Sequence, residues 1–201
     1  MGAVENAVAA IRAGEAVILP TDTVYGLCAS PHREDPVARI YQLKGRPETT
    51  PTALVASDVD TLLELMPELN GRPAALARAL LPGAFTLVLP NPKRRFRWLT
   101  GVARGTIGVR VPVLEGPARE VLAQVGVVAA TSANRHRGLD PSRLDDVPTE
   151  IRGACGAEID GGELPGVPST VVDLSGPEPR ILREGVVPAA DALARISSVE
   201  A

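Results

Sequence analysis

The stretch Pro20-Thr21-Asp22-Thr23-Val24-Tyr25-Gly26-Leu27-Cys28 says most about the fold and function of this chain. It follows the apolar run Ala16–Leu19, which predicts a short buried strand. Proline ends that strand, and Gly26 permits backbone angles that other residues disfavour. A polar loop at the carboxyl end of a strand is a usual position for a binding site in an α/β protein. The same residues also suit an ordinary turn, so this segment alone leaves both interpretations open.

The composition indicates a globular chain with an aliphatic core. Of the 201 residues, 45% are hydrophobic but only 2% are aromatic, and the formal net charge is −3. This charge argues against a general nucleic-acid-binding surface, although it allows a local basic groove. Since the sequence has no run as apolar and long as a membrane span and no evident signal peptide, we expect a cytoplasmic protein without membrane contact. The two cysteines are far apart and no Cys/His cluster occurs, so we expect no metal site formed by the protein.

Strand-like and helix-like segments alternate along the chain, which predicts one α/β domain over residues 1–201 with a mixed sheet and flanking helices. The predicted helices cover residues 5–12, 35–44, 58–65, 73–81, 116–124, 142–155 and 188–196. The predicted strands cover residues 16–19, 52–56, 85–89, 106–111, 127–131, 157–160, 170–174 and 180–182. Ser57 is the predicted N-cap of the third helix.

Cations and small polar residues at the ends of these elements form the candidate site. Lys44-Gly45-Arg46-Pro47 suits either an ordinary helix terminus or a pair of phosphate-binding cations. Arg110, in an apolar strand, faces either solvent or a buried anion. Ser132-Ala133-Asn134 suits a capped turn or a nucleotide contact, and Arg183 suits a surface ion pair with Glu184.

No standard phosphate-binding motif is present. Neither GxxxxGK[ST] nor GxGxxG occurs, so any nucleotide is bound in a non-standard way. The basic segment 93–98 contains Phe96 and Trp98, and it favours a solvated loop over an RNA contact made through charge and stacking.

The order of the motifs resembles that of the YrdC-like family of threonylcarbamoyl-AMP synthases in its single-domain form, over nearly all of residues 5–190. The matching pieces are Pro20–Leu27, Lys44–Pro47, Pro82-Gly83, Thr106–Pro112, Ser132–Asn134, Ile159–Gly162, Ser169–Asp173 and Leu182–Gly185. The resemblance implies a twisted mixed α/β sheet with a concave, cationic cavity. It also implies that the extra C-terminal domain of longer members is absent.

The resemblance further implies an ATP-dependent reaction with L-threonine and bicarbonate or CO2. The products are threonylcarbamoyl-adenylate and pyrophosphate, and the reaction is the first stage of t6A formation in tRNA. A downstream threonylcarbamoyl-transferase complex is implied as a partner, and contact with RNA is left open. Little covalent chemistry is required of the protein, so positioning and charge neutralisation should dominate.

By motif position, ATP is expected to contact Lys44, Arg46, Thr50, Thr106, Ser132, Asn134 and Arg183. Lys44 and Arg46 are the implied catalytic residues, since they would neutralise the triphosphate, and Mg²⁺ is expected to accompany ATP. L-threonine is expected to contact Thr23, Arg110, Ala130 and Ser169. Arg110 is the natural partner of its carboxylate.

Several residues depart from the pattern of the synthases. Thr50 stands where the family has an Asn that contacts ATP, and Val55 stands where a His contacts threonine. Asp140 falls near a Ser that contacts nucleotide, and a carboxylate there would repel phosphate unless a metal intervenes. With Ala84 and Pro168, these changes lean toward the YciO-like branch. The alternative function is therefore a paralogue that binds nucleotide or double-stranded RNA with weak or no synthase activity.

Overall fold

One mixed sheet of nine strands organises residues 2–200, the part of the chain that the computed structural model describes. The strands are β1 (Val17–Pro20), β2 (Tyr25–Ala29), β3 (Ala53–Ala56), β4 (Phe85–Pro90), β5 (Thr106–Arg110), β6 (Val127–Ser132), β7 (Ala157–Glu158), β8 (Thr170–Asp173) and β9 (Arg180–Arg183). Their order is β7-β1-β2-β6-β3-β5-β4-β8-β9. The pairs β1/β7, β3/β5 and β4/β8 are parallel and the others antiparallel, so the predicted mixed sheet is confirmed.

Seven α-helices flank this sheet within the described residues. They are α1 (Ala3–Ala13), α2 (Glu34–Lys44), α3 (Val59–Leu65), α4 (Arg72–Leu80), α5 (Gly116–Val125), α6 (Thr149–Arg152) and α7 (Ala189–Glu200). Helix α2 ends at Gly45, whose φ of 60° is left-handed, and this turn leads directly to Arg46. The predicted domain span of 1–201 stays a prediction, because Met1 and Ala201 lie outside the described residues.

The two faces of the sheet are covered unequally. One face packs against α2, α3, α4 and α7 and forms the larger apolar core. The other face packs against α1 and α5 mainly over β1, β2 and β6. Over β3, β5, β4 and β8 that second face carries polar and small side chains, which line a cavity. Successive side chains of a strand point to opposite faces of the sheet. In β5, Ile107 and Val109 therefore pack in the larger core, whereas Gly108 and Arg110 line the cavity.

The predictions for two segments are wrong. The predicted loop 20–28 is mostly strand, because β2 begins at Tyr25 and pairs with β1 in the register Leu19↔Gly26. Only residues 21–24 form the turn of this hairpin. The predicted helix 142–155 is two short pieces, a 3₁₀ turn at Leu144–Asp146 and α6. Pro148 separates them with extended backbone angles of φ −51° and ψ 133°.

Asp58, and not the predicted Ser57, caps helix α3. Asp58 Oδ1 accepts a hydrogen bond from the Thr61 backbone N–H at 2.7 Å, and Oδ2 accepts one from Thr61 Oγ1 at 2.8 Å. Ser57 Oγ donates to the same carboxylate at 2.8 Å. These hydrogen bonds lower the pKa of Asp58, the backbone hydrogen bond from Thr61 being the largest cause.

We expect Asp58→Ala to lower the free energy of unfolding by about 1 kcal/mol, because a helix loses its N-cap. Ser57→Ala should lower it by less, since it removes only a bond to the capping carboxylate. Because the folded-state pKa of Asp58 is depressed, its contribution is present above an unfolded-state pKa of about 3.9 and is lost as pH falls further. Urea denaturation of both variants at neutral and acidic pH measures these differences. Equal losses for the two variants at neutral pH would contradict the assignment.

Candidate functional site

A cavity of about 480 Å³ lies over the helix-free part of the sheet. Alternate strand residues form its floor: Ala53, Val55, Thr86, Val88, Thr106, Gly108, Arg110, Ala130, Ser132, Val171 and Asp173. Arg183 of β9 and several loop residues form its walls, among them Thr21, Arg46, Pro51, Thr52, Asp140, Pro168 and Ser169. A concave site of this size with a few convergent charged groups suits a small-molecule ligand.

Arg110 is the buried cation of the cavity floor, with 9% of its surface exposed. Its Nη2 donates to Asp22 Oδ1 in an ion pair and to Thr23 Oγ1 at 2.8 Å. Its Nε is buried and has no hydrogen-bond partner among the described residues. Burial lowers the pKa of Arg110, while the Asp22 carboxylate opposes that shift. A buried N–H without a partner is unfavourable, so part of the hydrogen-bonding capacity of Arg110 is unused in the ligand-free protein.

Asp22 is a site residue that the sequence reasoning missed. Its second carboxylate oxygen, Oδ2, accepts from the backbone N–H of Val113 at 3.1 Å. Asp22 thus joins the β1–β2 turn to the segment after β5 and fixes one edge of the Arg110 guanidinium. The available indication was its place inside the motif Pro20–Leu27, between two threonines.

Thr23 lies behind Arg110 and is fully buried, outside the set of cavity-lining residues. Its Oγ1 accepts from Arg110 and lies 3.0 Å from Thr21 Oγ1, which does line the cavity. Thr23, which was predicted to contact L-threonine, therefore supports the Arg110 side chain and does not itself line the cavity.

Lys44 is also buried, with 3% of its surface exposed, and it too lies outside the cavity lining. Its Nζ donates to the backbone oxygens of Ser132 and Asn134 and to Asn134 Oδ1. All three ammonium protons thus have acceptors in the protein, which fastens the end of α2 to the exit of β6. Burial, and then Arg46, lowers the pKa of Lys44 to about 8, while Asp140 opposes the shift.

Asn134 completes this buried polar network. Its Oδ1 accepts from Lys44 Nζ and from Ser132 Oγ at 2.9 Å. Its Nδ2 donates to Gly138 O at 2.7 Å and to Asp140 Oδ1 at 3.1 Å. The side chain of Asn134 is therefore committed to holding Ser132 and Asp140 at the cavity wall.

Arg46 and Arg183 are two further cations of the cavity wall. Arg46 donates to Thr131 Oγ1 at 3.0 Å and to Pro51 O, and its guanidinium carbon lies 5.9 Å from the centre of the Tyr41 ring. Arg183 donates to Ser169 O at 2.9 Å, in place of the predicted surface pair with Glu184. Burial lowers the pKa of both arginines, and the charge of Arg183 lowers that of Arg46 further. An anion bound between them would relieve this repulsion.

Seven of the eleven predicted site residues line the cavity, namely Arg46, Thr106, Arg110, Ala130, Ser132, Ser169 and Arg183. Thr50 is not among the lining residues, although its neighbours Pro51 and Thr52 are. Its carbonyl oxygen accepts from the Tyr41 hydroxyl at 2.8 Å. Val55 lines the cavity directly beside Arg110, its partner in the β3/β5 register.

Across residues 2–200 no group of three or more His, Cys, Asp or Glu side chains is arranged to hold a metal ion. In the same part of the chain no helix combines the length and apolar character that a membrane span requires.

The fold and the cavity define an α/β protein with an arginine-lined cavity on the open face of its sheet. Comparison with known proteins makes this more specific. A family model described as Sua5/YciO/YrdC, telomere recombination, matches residues 9–185, and the chain belongs to this family.

The relatives include proteins named for one activity. A Pyrococcus abyssi protein named threonylcarbamoyl-AMP synthase is 37% identical over 179 residues, which are 89% of this chain and 52% of that protein. The structure of P. abyssi Sua5 complexed with L-threonine superposes with a TM-score of 0.86 at 36% identity, over 98% of this chain and 56% of that one. The chain thus spans about half the length of these relatives.

The structure of Escherichia coli YciO is also similar. Its TM-score is 0.73 at 26% identity, over 91% of this chain and 89% of that one. Both branches that the sequence suggested therefore share this fold.

We expect the affinity of the site for an anionic ligand such as ATP to fall as pH rises through about 8, because Lys44 loses its proton there and the surroundings of the cavity lose a positive charge. Below that pH Lys44 is charged and the affinity should be level. Lys44→Met removes the titrating group and should give a weaker affinity that no longer changes over this range. Calorimetric titration with ATP on both sides of pH 8 measures the difference. A parent protein with a level profile would contradict this role for Lys44.

Proposed function

We propose that this chain is an L-threonylcarbamoyladenylate synthase of the t6A pathway, acting in the cytoplasm. Its substrates would be ATP, L-threonine and bicarbonate or CO2, and its products threonylcarbamoyl-AMP and pyrophosphate. The observation that carries the proposal is one cavity in which Arg110 has an unpartnered Nε and Arg46 and Arg183 repel each other. The synthase names of the relatives favour this function over the YciO-like alternative.

The proposed reaction depends more on how the protein positions the substrates than on covalent chemistry by its side chains. The threonine amine adds to CO2 and loses a proton, which gives a carbamate. A carbamate oxygen then attacks the α-phosphorus of ATP, and pyrophosphate leaves with the electron pair of the broken P–O bond. Negative charge is shared among all the reacting groups, so fixed cations supply the main stabilisation.

The cations of the site divide between the two substrates in this proposal. Arg110 binds the threonine carboxylate with the part of its guanidinium that lines the cavity, while Asp22 and Thr23 hold its Nη2. Arg46 and Arg183 bind the triphosphate. Lys44 contributes its charge and acts through Ser132 and Asn134, because all its donors are already used.

Mg²⁺ fits this cavity as a companion of ATP. Asp140 supplies one carboxylate at the wall, and Mg²⁺ commonly uses one or two carboxylates together with substrate phosphates. The bound ion would neutralise phosphate charge. Asp140 would hold it and would otherwise repel the triphosphate.

The product of the reaction and the basic segment 93–98 each bear on a partner other than the substrates. The adenylate would pass to a threonylcarbamoyl-transferase complex. The segment 93–98 offers RNA its charge but little stacking, because Phe96 and Trp98 pack against the core and Trp98 Nε1 donates to Pro31 O at 2.7 Å.

Incubation with ATP, L-threonine and bicarbonate should release pyrophosphate and form threonylcarbamoyl-adenylate, detectable by mass spectrometry. Omission of any one substrate should abolish the adenylate. Binding of ATP or RNA without any adenylate would refute the synthase and favour the paralogue.

Arg46→Ala and Arg183→Ala should each lower kcat/KM for ATP by about 10-fold to 100-fold, since each removes a charge-assisted contact. Arg104→Ala is the matched control, because Arg104 is an exposed arginine outside the cavity lining. Steady-state pyrophosphate release measures all three variants. Unchanged kinetics in both cavity variants would remove the triphosphate assignment.

Asp22→Asn should raise KM for L-threonine by about 10-fold while changing KM for ATP little, because it weakens the contacts that position Arg110 and leaves Arg46 and Arg183 unchanged. Asp22→Glu should restore part of the affinity, since it restores the charge. A loss of fold would lower both affinities together, so the split between the two KM values separates the outcomes. Equal effects on both substrates would contradict the positioning role.

A further inference from the structure

Gly108 is a glycine that the backbone of β5 does not require. It lies in mid-strand, pairs with Val88, and does not have the positive φ that favours glycine. A Cβ added there would meet only Thr86 Cγ2 at 3.6 Å and the Ala53 Cα at 3.9 Å, both ordinary contacts. Glycine inside a strand is unfavourable compared with alanine, so another reason must explain its presence.

The space above Gly108 belongs to the cavity. Gly108 lines it together with the small residues Ala53 and Ala130, which face each other in the β3/β6 register. Val88 flanks Gly108 on β4. These small side chains make a low floor in the middle of the site, between larger groups at its two ends.

The groups at the two ends bind anions of different kinds in the proposed reaction. Arg110 stands two residues along β5 on the same face, about 6.6 Å away, and its buried Nε lacks a partner. Thr106 stands two residues in the other direction, and Ser132 extends β6 two residues beyond Ala130. A ligand with its carboxylate on Arg110 and its phosphates near Ser132 must therefore cross the floor at Gly108.

We infer that Gly108 is a specificity-determining residue whose missing side chain leaves room for the planar carbamate and the α-phosphate. This inference rests on the proposed function, because it takes the ligand that crosses the floor to be the carbamate of an amino acid joined to a nucleotide. A methyl group at this position would lift the reacting atoms from the sheet while leaving Arg110 and Arg46 in place.

The test uses Gly108→Ala and an ATP analogue that cannot be cleaved, α,β-methylene ATP. The analogue is titrated into protein saturated with L-threonine and bicarbonate. We expect Gly108→Ala to weaken its affinity by about tenfold or more, because an added methyl overfills a fitted site. Affinity for L-threonine alone should change by less than about twofold, since Arg110 is untouched.

Two controls separate ligand fit from folding. Gly176→Ala should leave every affinity unchanged, because Gly176 has open space around its Cα, no positive φ and no place in the cavity lining. The thermal midpoint of Gly108→Ala should equal or exceed that of the parent, since alanine restricts the unfolded chain. Ala53→Val, on the neighbouring strand, should weaken the analogue in the same direction.

The outcomes are distinct from those for the proposed function. If Gly108→Ala binds the analogue as the parent does, the inference is overturned. A parent that binds the analogue and L-threonine but forms no adenylate refutes the synthase, and the analogue affinities still decide the role of Gly108. A parent that binds neither ligand overturns both.

Discussion

The rest of the structure depends on the burial of one face of the sheet across seven of its nine strands. Every strand from β1 to β6, together with β8, gives alternate apolar residues to the core beneath α2, α3, α4 and α7. That core holds the strands in register, so the opposite face need not be apolar throughout. Helices α1 and α5 cover only part of it. The remaining part can carry arginine, threonine and glycine without the loss of stability that polar residues cause inside a closed core.

Buried charge is the second constraint, and the site is built around it. Lys44 and Arg110 are both buried, and hydrogen-bond acceptors compensate each of them for the loss of water. The extent of this compensation differs between the two residues. Lys44 is fully satisfied by protein oxygens and therefore fixes the loop Ser132–Asn134. Arg110 is satisfied along one edge only, by Asp22 and Thr23. The contacts of Lys44 thus stabilise the geometry of the loop Ser132–Asn134, whereas Arg110 keeps hydrogen-bonding capacity that the protein does not use.

The sequence predicted the architecture well because periodic apolar segments dominate it. The missed strand β2 begins within the motif Pro20–Leu27, where Tyr25 and Gly26 look like turn residues until β1 and β6 pair with them. The predicted helix 142–155 failed at Pro148, a residue that already disfavours a continuous helix. Ser57 and Asp58 are both good N-caps by type, and only the geometry selects Asp58.

Site residues were harder to assign, because a motif gives proximity but not orientation. Lys44, Asn134 and Thr23 belong to the expected motifs, yet their side chains point to other protein groups. Asp22 was missed for the related reason that its partner, Arg110, is far away in sequence. The β3/β5 register that sets Val55 beside Arg110 could not be read from spacing either.

Val55 and Asp140 are two of the departures that line the cavity, and they would act on opposite ends of the proposed ligand. Val55 offers no hydrogen bond beside Arg110, so selection of an amino acid there must rely on the guanidinium, the β1–β2 turn and the shape of the floor. Asp140 opposes the pKa shifts of both Lys44 and Arg183, which means that its charge stabilises these cations in the ligand-free protein. The same charge disfavours a triphosphate. In the proposed complex with ATP, a cation shared with Asp140 or displacement of Asp140 from Asn134 would relieve this repulsion, and Asp140 would couple nucleotide binding to the Lys44 network.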